Sequence, residues 1–142
     1  MLDFTSLNWL AVIACVVVSM ISGAIWYNPK TFFPAWWKAI GKDENEKPGG
    51  ENMGIVWGMT VLGSLVQAIF VGLFVNALGN ANSGATLISG ALTGLFLAIG
   101  IVAPTALVNK MFAGHGFKVW LIEVGNHVVN FVLFGAIFGA WR

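Results

Sequence analysis

The sequence predicts an all-α, polytopic membrane protein with four transmembrane helices. Hydrophobic residues make up 58% of the 142 and charged residues only 9%, whereas soluble domains carry about 25% charged residues. Mean hydropathy is +0.83. Apolar runs of about 20 residues, the length that crosses a bilayer's hydrocarbon core, recur four times. Backbone groups in lipid must be satisfied within the segment, and the runs lack the alternation of a barrel strand, so each is read as a helix.

The first run covers about residues 7–27. Met1-Leu2-Asp3 lacks the basic region of a secretory signal and the run is longer than a signal core, so the segment is expected to be retained. Cys15, the single cysteine, lies inside it, which excludes an intrachain disulfide. After Pro29, residues 31–40 gather Phe32, Phe33, Trp36, Trp37 and Ile40 around Lys38. This stretch is too short to span and suits a short interfacial amphipathic helix. Gly41 ends it, and residues 42–52, KDENEKPGGEN, read as a charged mobile loop. The remaining runs cover about 53–78, 85–108 and 119–141, so residues 1–142 form one transmembrane domain. Pro104 is expected at the cytoplasmic end of the third helix, as Pro29 is at that of the first.

Charge sets the orientation. The first and third loops share one face and hold Lys30, Lys38, Lys42, Lys47, Lys110 and Lys118, whereas the other face offers Arg142 and the terminal amine. The lysine-rich face is therefore expected to be cytoplasmic, with both termini outside the cell membrane; Asp43, Glu44, Glu46 and Glu51 weigh little in that rule. Aromatic residues fall in two matching layers, with Trp26, Tyr27, Trp57 and Trp120 inside and Trp9 and Trp141 outside. A helix from Trp120 to Trp141 rises roughly 31 Å, matching a hydrocarbon core of about 30 Å.

Helices two and four share a polar spacing. Counting from Trp57 gives Thr60, Ser64 and Gln67; counting from Trp120 gives Glu123, His127 and Asn130, each set on one helical face. Gly72 and Gly135 also stand at equal distances from those tryptophans. The pattern suggests a two-helix unit repeated in parallel, an arrangement that in transporters brackets a central site.

Glu123, Asn126, His127 and Asn130 occupy two turns of the fourth helix, and such groups inside a membrane are costly unless paired or wetted. With Gln67, Ser64 and Thr60 they form the candidate intramembrane polar site. One reading makes them a hydrated path or a cation or proton site, with Glu123 and His127 a coupled pair one turn apart. The other makes them hydrogen bonds between helices, with Glu123 snorkelling to the interface. Glu123 and His127 supply two metal ligands where a site needs three or four, so neither a metal nor a cofactor is expected. His115 reads as a solvated loop residue. Small residues four apart, Gly54–Gly58, Gly90–Gly94–Ala98 and Gly135–Gly139, fit close helix packing within the chain or in a homo-oligomer. With no phosphate-binding glycine loop and no nucleophile paired to a base, an enzyme or nucleic-acid binder is disfavoured.

The segments Asn8-Trp9-Leu10-Ala11-Val12, Gly23-Ala24-Ile25-Trp26-Tyr27-Asn28-Pro29, Val102-Ala103-Pro104-Thr105 and Gly135-Ala136-Ile137-Phe138-Gly139-Ala140-Trp141 resemble the bacterial and fungal membrane proteins of domain-of-unknown-function family 1761. The likeness spans nearly the whole chain. It implies a four-helix membrane protein and assigns no activity or site residues.

Two functions compete on these grounds. In one, a homo-oligomer binds or passes a small solute, ion or proton through the polar patch. In the other, an accessory subunit uses residues 31–40 and 42–52 to engage a partner protein or lipid, and the patch only packs helices.

Overall fold

The computed structural model describes residues 2–49 and 52–141, so Glu51 and Arg142, both counted in the charge argument, lie outside it. The described residues are all-helical: α1 (Trp9–Trp26), α2 (Phe33–Ala39), α3 (Met53–Ala81), α4 (Leu87–Leu97), a π segment (Ala98–Val102), α5 (Ala103–Phe112) and α6 (Gly116–Ala140). α4, the π segment and α5 form one continuous span, Leu87–Phe112, and with α1, α3 and α6 it gives four helices long and apolar enough to cross a membrane.

Polar residues mark the helix starts. The Asn8 side chain accepts from the Leu10 and Ala11 amides, Asn52 from Ile55, and Thr86 shares a reciprocal capping box with Ser89. The turn into α6 places Gly114 and Gly116 at φ +74° and +84°, which side chains rarely adopt. Freed by this turn, α6 begins at Gly116, about one turn before the expected start.

Pro104 does not end the third span, contrary to expectation. A proline within a helix lacks the amide and crowds the carbonyl four residues back. Here the helix widens just ahead of it, and the Ala103 amide bonds to Ala98 O across five residues. The chain then continues helical to Phe112.

α6 lies at the centre. Its Phe131, Phe134 and Phe138 enter a core with Leu7, Ala11, Val12 and Cys15 from the N-terminal segment and α1, and with Ala68, Val71, Leu73 and Val75 from α3. Most of this core sits toward the end of the bundle where α1 begins and α6 ends. By contrast, α3 leaves residues 53–63, its first three turns, exposed on every face.

α4 and α6 make the closest approach. A Cβ placed on Gly94 would fall on the Phe131 carbonyl, 2.6 Å from its carbon, and one on Gly135 would lie 2.7 Å from the Gly90 carbonyl carbon. The small residues at 90, 94, 135 and 139 thus serve packing within the chain. Gly58 meets nothing within 4 Å.

Positions equivalent under the expected repeat differ in surroundings. Gly72 lies under the Phe138 ring and Leu7, while Gly135 meets the backbone of α4. Thr60 is exposed and donates to Val56 O, whereas Glu123 is partly buried and ion-paired.

Candidate functional site

α6 carries Glu123, Asn126, His127 and Asn130, which at about 1.5 Å rise per residue extend roughly 10 Å along the axis. Because the turn into α6 is tight, the end of α5 returns beside its first turns. Lys110 Nζ stands 2.9 Å from Glu123 Oε2, with side-chain exposures of 25% and 18%. Trp36 of α2 donates its indole N–H to Glu123 Oε1 at 3.0 Å. Side chains from α2 and α5 therefore converge on one carboxylate of α6.

Two of the tryptophans expected at the interface turn inward. Trp26 donates Nε1–H to Ile122 O at 2.9 Å, and a Cβ at Gly125 would lie 2.7 Å from its ring, so the indole occupies the space that glycine leaves. Trp120 donates to Ala103 O at 2.8 Å, just beyond the π segment. An indole inside the bundle seeks an acceptor, and backbone carbonyls supply it here. α2 is consequently more than a surface raft: Trp37 is buried, and the Tyr27 ring lies 5.1 Å from that of Trp36.

Below the carboxylate the polar groups continue between α1 and α6. Asn126 Nδ2 donates to Ser22 Oγ at 3.1 Å, and Asn130 Nδ2 reaches Asn126 Oδ1 at 3.4 Å. Asn126 and Asn130 are each 7% exposed. At the deep end, His127 Nδ1 and Asn130 Oδ1 are buried without a hydrogen-bond partner.

The structure joins Asn126 to Asn130 and to Ser22, engages Glu123 separately with Lys110 and Trp36, carries His127 on the same stretch of α6, and leaves the α3 residues elsewhere. Gln67 lines an apolar crevice of about 230 Å³ with Val66, Phe70, Leu97 and Phe131, and Ser64 is partly buried. Among the described residues, no hydrogen bond joins Gln67, Ser64 or Thr60 to the α6 set.

Sequence reasoning missed Lys110, Trp36 and Ser22. A signal existed for two of them. Lys110 and Glu123 flank a short connection between antiparallel helices, and Ser19 and Ser22 interrupt an apolar run three residues apart. For Trp36, 87 residues from Glu123, nothing local pointed to the contact.

Residues 10–139 match the family described as Protein of unknown function (DUF1761), and the chain belongs to that family. No curated protein and no solved structure matches the chain.

Proposed function

We propose that this multi-pass membrane protein binds or passes a small polar solute, an ion or a proton through the polar column that α6 builds against α1. Glu123, Asn126, His127 and Asn130 are its residues, and the lysine-rich, cytoplasmic end is its mouth. The observation that carries this reading is the pair of buried, unpartnered atoms, His127 Nδ1 and Asn130 Oδ1, at the deep end. A buried polar atom left unsatisfied costs about 1–3 kcal/mol, and no lipid tail can relieve it. An amide oxygen only accepts, and an imidazole nitrogen accepts in one tautomer. The pair therefore suits something that donates or is positively charged, such as water, a hydrated cation or a protonated amine.

The test is flux in proteoliposomes loaded with pH-, sodium- and potassium-sensitive dyes, with proton, sodium, potassium and ammonium gradients applied in turn. Wild-type protein should collapse at least one gradient faster than empty vesicles, and His127→Leu and Asn130→Leu should slow it about tenfold, the effect of one lost polar contact. The proposal fails if no gradient responds, or if both variants retain full flux after confirmed insertion.

The accessory-subunit reading draws on a different observation. Both Glu123 oxygens are engaged by groups of the same chain, Lys110 and Trp36, as in a clasp that ties α2 and α5 to α6. On that reading Glu123→Gln lowers thermal stability in detergent and changes no flux.

A further inference from the structure

A second polar feature lies outside the column. α2 and the loop after it enclose a cleft of about 580 Å³ lined by Phe33, Trp37, Lys38, Lys42, Asp43 and Glu44. The fold builds this cleft. Trp37 is 7% exposed and donates Nε1–H to Asp43 O at 2.8 Å, which pins the loop back over the helix. The Phe33 and Trp37 rings stack with centroids 5.3 Å apart.

Its level in the membrane follows from its neighbours. α2 comes directly after α1, the Phe32 ring lies 4.5 Å from that of Trp26, and Trp36 is bonded to Glu123. Next to the ends of α1 and α6, the cleft opens at the level of the headgroups. Lys42 holds Glu46 at 3.4 Å, but both side chains are about half exposed, so that pair contributes little and yields Lys42 readily.

Two ammonium groups and two carboxylates around paired aromatic rings fit a ligand that is itself dipolar. A phosphate suits the lysines. The carboxylates accept N–H bonds from a primary ammonium, which a quaternary ammonium cannot give, and they repel a purely anionic headgroup. We propose that this cleft binds the headgroup of a phospholipid that carries both a phosphate diester and a primary ammonium, with phosphate on Lys38 and Lys42 and ammonium on Asp43 and Glu44.

The experiment titrates the detergent-solubilised full chain with phosphatidylethanolamine, phosphatidylcholine and phosphatidylglycerol, reading the lipid-bound fraction by native mass spectrometry. Phosphatidylethanolamine should bind about tenfold more tightly than either other lipid, the worth of one charge-assisted contact. The Lys38→Gln/Lys42→Gln double variant should lose that binding. Asp43→Asn/Glu44→Gln should bring phosphatidylethanolamine down to the phosphatidylcholine level, and both double variants should keep the wild-type melting midpoint without lipid. Equal binding of the three lipids, a preference for either of the others, or indifference to both double variants overturns the proposal. Soluble glycerophosphoethanolamine should not compete at equal concentration; if it does, the ligand is a free solute and the lipid assignment is overturned. His127→Leu and Asn130→Leu should bind phosphatidylethanolamine as wild type does, so failure of the column leaves this result standing.

Discussion

Replacing Gly94 with alanine adds one methyl group, and the structure gives that methyl nowhere to go. The new Cβ would fall on the Phe131 carbonyl, 2.6 Å from its carbon and 3.1 Å from the Val132 amide nitrogen. Carbon atoms relax at about 3.5–4.0 Å, so the helices must part by roughly 1 Å, and a gap of that size forfeits a quarter to a half of each contact along the seam. The obstructing atoms are backbone, so no rotamer change relieves the clash. The cost belongs at the top of the overpacking range, about 3 kcal/mol, which is over a hundredfold in the folded-to-unfolded ratio at about 1.4 kcal/mol per factor of ten. Gly58→Ala and Gly63→Ala are the controls: nothing lies within 4 Å of a Cβ at either position. Alanine's higher helix propensity should make each neutral or stabilising by up to about 1 kcal/mol. Equilibrium unfolding in mixed micelles, followed by tryptophan fluorescence, measures all three. A Gly94→Ala midpoint equal to that of Gly58→Ala would refute the close α4–α6 seam and the packing argument built on it.

Lys110→Met leaves the Glu123 carboxylate with Trp36 as its remaining partner and should destabilise by about 1–2 kcal/mol. That is less than the 3–5 typical of a deeply buried pair, because both partners keep some exposure. Adding Glu123→Gln should recover most of the loss; strictly additive effects in a thermal-melt double-mutant cycle would show the pair to be uncoupled. For topology, Lys42→Cys and Lys118→Cys should resist a membrane-impermeant maleimide in intact cells and react after lysis. Ser83→Cys, in the turn between α3 and α4, should react in intact cells, and buried Cys15 gives no background. Labelling of Lys42→Cys and Lys118→Cys from opposite sides would refute the four-span topology, and labelling of both in intact cells would invert the orientation.

The spans were legible because lipid requires long apolar helices and the gaps between them are polar. The site was legible only along one helix. A helix buried in lipid is apolar on nearly every face, so periodicity does not reveal which face meets a neighbour. Thr60, Ser64 and Gln67 share a spacing with Glu123, His127 and Asn130, yet Gln67 faces an apolar crevice and Thr60 its own helix. Partners contributed by another segment, such as Trp36 to Glu123 or Ser22 to Asn126, depend on helix rotation, which composition leaves open. Pro104 misled for a different reason. A single widened turn accommodates the ring, and that choice rests on the packing of the third span rather than on local preference. The spacing of the tryptophans likewise did not reveal that Trp26 and Trp120 cross-link the spans.

The widened turn ahead of Pro104 divides the third span into unequal partners. Up to Leu97 it is locked to α6 backbone against backbone. Past Ala103 its ties to α6 include one indole hydrogen bond and one ion pair, both reaching from side chains. The span is thus held in two ways, by backbone contact along α4 and by side chains along α5, with the widened turn between them. Lys110, Glu123 and Trp36 thereby tie α5, α6 and α2 together at one end of the bundle, while Gly90 and Gly94 hold α4 against α6 toward the other.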